Sequence, residues 1–98
     1  MPTATVNGHV IARSDTTVMV EGNHYFPPDS VDRSFFRASD TRSRCPWKGE
    51  AAYLDVIADD EVLADAAWYY PTPKDAAAEI AGHVAFGKGH GVTVDPSG

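Results

Sequence analysis

Apolar and polar positions alternate with a period of two along most of this chain, and that period predicts strands. In 9–13 ("HVIAR") and 17–21 ("TVMVE"), Val10 and Ala12 share one face, as do Val18 and Val20. The polar pair Ser14-Asp15 lies between them, so the pattern predicts two strands on either side of a short turn. Gly22-Asn23 marks a second turn before a short strand over "HYF". Pro27-Pro28 then ends extended pairing, because proline cannot donate to a ladder. The segment "DSVDRS" predicts a helical turn near 29–33, capped by Asp29 or Ser30. The basic stretch 37–48 has no clean period and reads as a loop, with one strand leading into Cys45.

The clearest hairpin joins "AAYLDVIA" to "VLADAAWYY" through Asp59-Asp60-Glu61. With Ala58 opposite Glu61, an unbroken ladder sets Tyr53 opposite Ala66 and diagonal to Trp68, with Tyr70 and Asp55 on the same face. Leu54, Val56, Leu63, Asp65 and Tyr69 take the other face. A slip of one residue would exchange one strand's faces. "TPKDAAAEIAG" predicts a short helix near 73–81: Thr72 as cap, Pro73 in its first position, Asp75 at capping-box spacing and Gly82 at its end. Its inward stripe would be Ala76, Ala77 and Ile80. "HVAF" and "VTVD" read as final strands about the turn Gly87-Lys88-Gly89-His90-Gly91. That turn lacks the spacing, the lysine-serine pair and the following helix of a phosphate-binding loop. The tail 96–98 is expected to be disordered. The elements together predict a mainly β (α+β) domain.

Composition narrows the function classes. Ninety-eight residues make one domain, 1–98, with one core. A net charge of −6 opposes sequence-independent binding to a polyanion. No apolar run reaches the ~18–20 residues of a membrane span, and "MPTATVNGHV" lacks the features of a secretory signal. A single cysteine cannot form an internal disulfide, and no Cys/His cluster has zinc spacing. The expectation is a cytoplasmic protein with no cofactor, no metal and no structural zinc. The charge is uneven, however: five of the eight basic residues lie within 33–48, whereas nine acids follow from Glu50 to Asp95. That basic block is either a solvated patch or a local field that attracts an anion.

Four segments, "VIARSDTTVMVEGNHYFPPDSV", "CPWKGEAAY", "DAAWYYPTP" and "AAAEIAGHVAF", together resemble the domain-of-unknown-function family 427 over about 7–95. The resemblance implies a β-tent-like (Mss4-like) fold, in which small antiparallel sheets meet at an angle, as in methionine sulfoxide reductase B. In several such relatives a zinc pins the sheets, and this sequence lacks the cysteines for it. The label "nucleotidyltransferase-like" sometimes given to the family finds no support in these residues, since that chemistry needs carboxylates holding Mg²⁺ beside a phosphate-binding loop. Members usually carry a tryptophan at the position of Val6 and aromatics where Gly87 and Lys88 stand. A site enclosed by those aromatics would be more open here.

Candidate chemistry gathers around "CPWKG" at 45–49. Cys45 is either a thiol activated by neighbouring cations, with His24 or His83 as base, or a buried small residue. Trp47, Tyr53, Trp68 and Tyr70 are either core or the walls of a cleft for a small anionic or aromatic molecule, with Lys48 and Cys45 at its rim, Lys48 supplying charge, and Arg44 a further ligand-binding candidate. Asp65 is either a solvated strand residue or a buried partner for an arginine such as Arg37. Three functions remain open: a small-molecule-binding domain, a thiol-dependent enzyme, and an interaction module whose basic block meets nucleic acid or an acidic partner. The acidic remainder of the chain weighs against the last of these.

Overall fold

Asn7 and Gly8 take φ of 48° and 81°, the left-handed pair that a two-residue hairpin turn needs. They fold strand β1 (Thr3–Val6) back on β2 (His9–Arg13). The computed structural model describes residues 1–97 of a mainly β chain built from small antiparallel sheets. β9 (Thr93–Asp95) adds to the free side of β1, giving the order β2-β1-β9. A separate hairpin pairs β3 (Val18–Val20) with β4 (Asn23–Tyr25) around Glu21-Gly22. The four-stranded sheet runs β5 (Phe36–Cys45), β6 (Gly49–Ala58), β7 (Glu61–Tyr69) and β8 (Val84–Phe86) in that order.

Ser14-Asp15 is therefore a corner between sheets and not a hairpin turn. β1 has already claimed the β2 ladder, and the Ser14 N–H extends it by donating to the Pro2 carbonyl at 3.1 Å. The segment 37–48 is likewise not a loop: most of it is the ten-residue strand β5. β5 is an edge strand with nearly every side chain in water, and charged residues protect such an edge from pairing with other chains. An edge of that kind shows no apolar period to read.

The β6–β7 hairpin opens with the expected pairs, Ala58 with Glu61, Ile57 with Val62 and Val56 with Leu63. The ladder then breaks at a bulge in β7, and Tyr53 meets Trp68 instead of Ala66. Asp65 sits in the bulge at φ 54° and its N–H donates to Asp55 Oδ1 at 3.0 Å. The Asp65 carboxylate accepts from Ser39 Oγ at 2.5 Å and Thr41 Oγ1 at 2.7 Å, which lie in a second irregularity in β5. Arg37 pairs with Asp55 at 3.0 Å, so Asp65 is held by hydroxyls rather than by an arginine. The register moves by two positions, which preserves parity, so Tyr53, Trp68 and Tyr70 stay on one face.

Each face of this sheet has its own core. Leu54, Val56, Ala67, Val84 and Phe86 pack with Ala4, Val6 and Ile11 of the β2-β1-β9 sheet. On the other face Ala51, Tyr70 and Ala85 pack with Tyr25 of the β3–β4 hairpin and with Ala77 and Ile80. No α-helix forms near 73–81. Asp75–Ile80 is a 3₁₀ segment, kinked at Ala77, with Lys74 at its N-cap and no side-chain cap, so neither Thr72 nor Asp75 plays the expected part. Both ends are pinned: the Lys74 N–H donates to the Lys48 carbonyl at 2.9 Å and the Gly82 N–H to the Tyr70 carbonyl at 3.1 Å. Between these pins the segment takes 3₁₀ turns, which are common in short connectors. Ala77 and Ile80 face inward, whereas Ala76 is exposed. The turn expected near 29–33 is two short 3₁₀ turns, Pro28–Ser30 and Arg33–Phe35. In the tail, the Ser97 N–H and hydroxyl donate to Asp95 Oδ1 at 3.0 Å, and Gly98 lies outside the described residues. No helix among the described residues is long and apolar enough to cross a membrane.

The bulge gives stability a dependence on pH. The Asp65 N–H, and then Arg37, hold the Asp55 carboxyl below its usual pKa. A folded-state pKa below the unfolded one contributes stability above the ordinary carboxylate value, which is lost as pH falls through the depressed one. Urea-unfolding midpoints should therefore fall from about pH 5 to about pH 2, and Asp55→Asn should flatten that fall without removing it. The residual slope belongs to Glu21 and Asp32, which are lowered as well. An unchanged slope in the variant would separate Asp55 from acid stability.

Candidate functional site

β5 ends at Cys45 and β6 begins at the residue paired with it, Gly49, so Pro46-Trp47-Lys48 is a tight three-residue turn. Gly49 adopts φ 109°, and a Cβ there would stand 3.5–3.6 Å from the backbone of Thr72, Pro73 and Lys74. The space would accept a methyl group, so it is the dihedral that requires glycine. Lys74 braces the turn from outside, its ammonium donating to the Pro46 carbonyl at 2.7 Å.

Lys48 turns inward. It is 5% exposed, which corrects the expectation of a solvated charge at a rim. Its ammonium donates to the carboxylate of Glu21, at the tip of the β3–β4 hairpin. The same ammonium lies 5.0 Å from the Trp47 ring centroid and 5.7 Å from that of Tyr70. Burial alone would push the Lys48 pKa down. The Glu21 carboxylate, with Tyr70, Tyr25 and Cys45 behind it, more than offsets this and leaves the pKa above its ordinary value. Glu21 is held below the usual carboxylate range, chiefly by Lys48, with the Trp47 side chain adding a smaller pull. Both shifts favour the charged pair. Tyr70 moves upward through burial, with Lys48 opposing.

Cys45 is half-buried beside this charge. Burial raises its thiol pKa, but the backbone N–H groups of Trp47 and Lys48 and the Lys48 ammonium lower it further than burial raises it. The thiol therefore sits below its ordinary pKa, with Glu21 opposing. Each of the two expected bases has another partner at one ring nitrogen. His24 Nδ1 bonds Thr17 Oγ1 at 2.8 Å, and His83 Nδ1 lies 3.0 Å from the Ala81 carbonyl. Alternation carries Arg44 to the other face from Cys45, where its exposed guanidinium lies 4.0 Å from Glu50.

The aromatic residues do come together, in one connected row. Ser43 Oγ bonds Tyr53 OH at 3.1 Å, and the Tyr53 and Trp68 rings lie 6.1 Å apart. Trp68 Nε1 donates to Tyr25 OH at 3.2 Å, and Tyr25 lies 6.4 Å from Tyr70, beside the lysine. Trp47 stands apart from the row and is 40% exposed. Trp47, Tyr53, Trp68 and Tyr70 line neither of two clefts, of about 330 and 370 Å³, elsewhere on the surface. No group of metal-ligating side chains occurs among the described residues. Two members of the site escaped the sequence reading, Tyr25 and Glu21. The alternation of "NHY" marks Tyr25 as opposite in face to His24. Nothing local connects Glu21 with a lysine 27 positions away.

A family model described as a domain of unknown function (DUF427) matches residues 3–95. A comparison with curated proteins finds no match to the chain.

The ion pair is asymmetric in its exposure, 7% for the Lys48 side chain and 53% for that of Glu21. Removing Glu21 strands a buried ammonium, whereas removing Lys48 leaves a carboxylate that water can reach. Glu21→Gln should lower the unfolding midpoint measurably, and Lys48→Met should lower it by clearly less. Chemical denaturation of both variants checks the order, and equal losses would mean that the exposure difference does not govern the pair.

Proposed function

This chain belongs to the DUF427 family of unknown function, and from that premise we propose that it is a cytoplasmic domain binding a small anion at the Cys45–Gly49 turn. The resemblance to β-tent-like domains accords with this reading, as does the hairpin that packs over the turn. The observation that carries it is the Lys48 ammonium, 5% exposed and neutralised by a carboxylate that is itself half in water. Glu21 then acts as a resident anion. It stands at φ 52° in the turn of the β3–β4 hairpin with its side chain half exposed, so water can receive the carboxylate when the pair opens. An incoming carboxylate or phosphate displaces Glu21, takes the ammonium, and lies against the exposed ring of Trp47. An apolar surface with one fixed charge suits an aromatic anion.

Competition between Glu21 and the ligand makes the reading testable. With benzoate and inorganic phosphate as probes, followed by tryptophan fluorescence, Lys48→Met should abolish binding. Glu21→Gln should strengthen it several-fold, because the internal competitor is gone while the cation remains. Weaker binding in Glu21→Gln would make Glu21 part of a fixed strut and end the proposal.

A second reading rests on the two N–H groups that face the Cys45 sulfur. They stabilise a thiolate, the nucleophilic form, and so favour thiol chemistry. The thiol should then alkylate with iodoacetamide near neutral pH with an apparent pKa below the ~8.5 of a free cysteine, and Lys48→Met should raise that pKa. Reaction only on unfolding would remove this reading and leave Cys45 as packing.

A further inference from the structure

The cleft of about 330 Å³ lies on the far face of the four-stranded sheet from Cys45. All four strands build its floor, among them Phe36 of β5, Leu54 of β6, Tyr69 of β7 and Val84 of β8. Its wall comes from the crossover that leaves β4, where Val31 precedes the second 3₁₀ turn and Arg33 begins it. The volume is at the lower end of the ~300–1,000 Å³ of small-molecule pockets. It therefore has room for one ring or a short branched chain.

Two polar side-chain groups in this lining have no partner among the described residues. The Arg33 guanidinium makes no ion pair or hydrogen bond there, although acids outnumber bases in the chain by 14 to 8. By contrast, Arg37 and Lys48 pair with carboxylates at 4 Å or less, and Arg42 donates to backbone carbonyls. The Tyr69 hydroxyl is the other; among the described residues no atom accepts from it or donates to it. An apolar floor with one unpaired guanidinium and one unpaired hydroxyl is complementary to a carboxylate on an apolar body. A guanidinium presents paired donors matched to the two oxygens of that group. A phosphate or a sugar would leave the floor of Phe36, Leu54 and Val84 without apolar contact.

We propose that this cleft is a binding site for small monocarboxylic acids with an aryl or branched-alkyl body, the carboxylate on Arg33 and Tyr69 and the body on the sheet. It is independent of the Lys48 site and on the opposite face of the sheet. The test uses the full chain and ¹H–¹⁵N NMR titration with phenylacetate and isovalerate, with phenylacetamide as the neutral control. Saturable shifts should centre on Leu54, Tyr69 and Val84. Arg33→Gln should weaken phenylacetate about tenfold or more, as loss of a charge-assisted hydrogen bond does, and phenylacetamide should bind about as weakly. Ala38→Trp, at an exposed position of the lining, should block the cleft. Three results would overturn the proposal: no saturable shift with either acid, equal binding of acid and amide with Arg33→Gln silent, or saturable shifts that centre on Trp47 and Lys48 instead of Leu54, Tyr69 and Val84. The last would place the acid at the Cys45 turn.

Discussion

A lysine ammonium taken almost wholly out of water is the constraint around which one side of this molecule is organised. Burying it unpaired would cost several kcal/mol, so a counter-charge has to arrive as the chain folds. Glu21 supplies it, and reaches Lys48 only when the β3–β4 hairpin lies over the turn between β5 and β6. Tyr25 packs on the same hairpin, buried to 1% exposure, so the apolar contact and the ion pair support each other. The backbone of Lys48 does two further things. Its carbonyl receives the Lys74 N–H, pinning the 3₁₀ segment, and its own N–H faces the Cys45 sulfur.

The aromatic row depends on a second constraint, in the middle of the large sheet. Extra residues in β5 and β7 fall on either side of Tyr53 and Asp55 and are joined through Asp65. Asp65 accepts a left-handed backbone because its N–H and both carboxylate oxygens have partners. The result brings Tyr53 opposite Trp68 and extends the hydrogen-bonded contacts from Ser43 to Tyr25. Two faces of one sheet thereby acquire different characters. One carries tyrosine hydroxyls, an indole N–H, a thiol and a paired charge; the other carries an apolar cleft with a free guanidinium.

Cys45 illustrates why a depressed pKa has a meaning only with its partners named. Burial, two backbone N–H groups, an ammonium and a carboxylate all act on one sulfur, in opposing directions. The ammonium's influence depends in turn on Glu21, which neutralises part of it. Any event that moves Glu21, such as an anion at Lys48, therefore changes the field at the thiol. The binding reading and the thiol reading concern one electrostatic unit.

Much of this was legible in the residues themselves. The period of two foretold a mainly β chain, and parity alone separated Tyr53, Trp68 and Tyr70 from Leu54, Val56 and Tyr69, because a two-residue bulge cannot exchange faces. Asp59-Asp60 announced a hairpin, since a turn is a property of a few adjacent residues. Pairing between distant segments was not legible. Whether β2 joins β1 or β3, and whether a polar edge such as 36–45 is a strand, depends on ladders supplied from elsewhere in the chain. The short helix expected near 73–81 is present at Asp75–Ile80, but its 3₁₀ form goes with backbone bonds to Lys48 and Tyr70 that the local sequence does not announce. The same holds most of all for Lys48. A lysine in a turn beside tryptophan reads as exposed until a glutamate 27 positions away makes its burial affordable, and a charge pairing over that distance leaves no local pattern in the sequence.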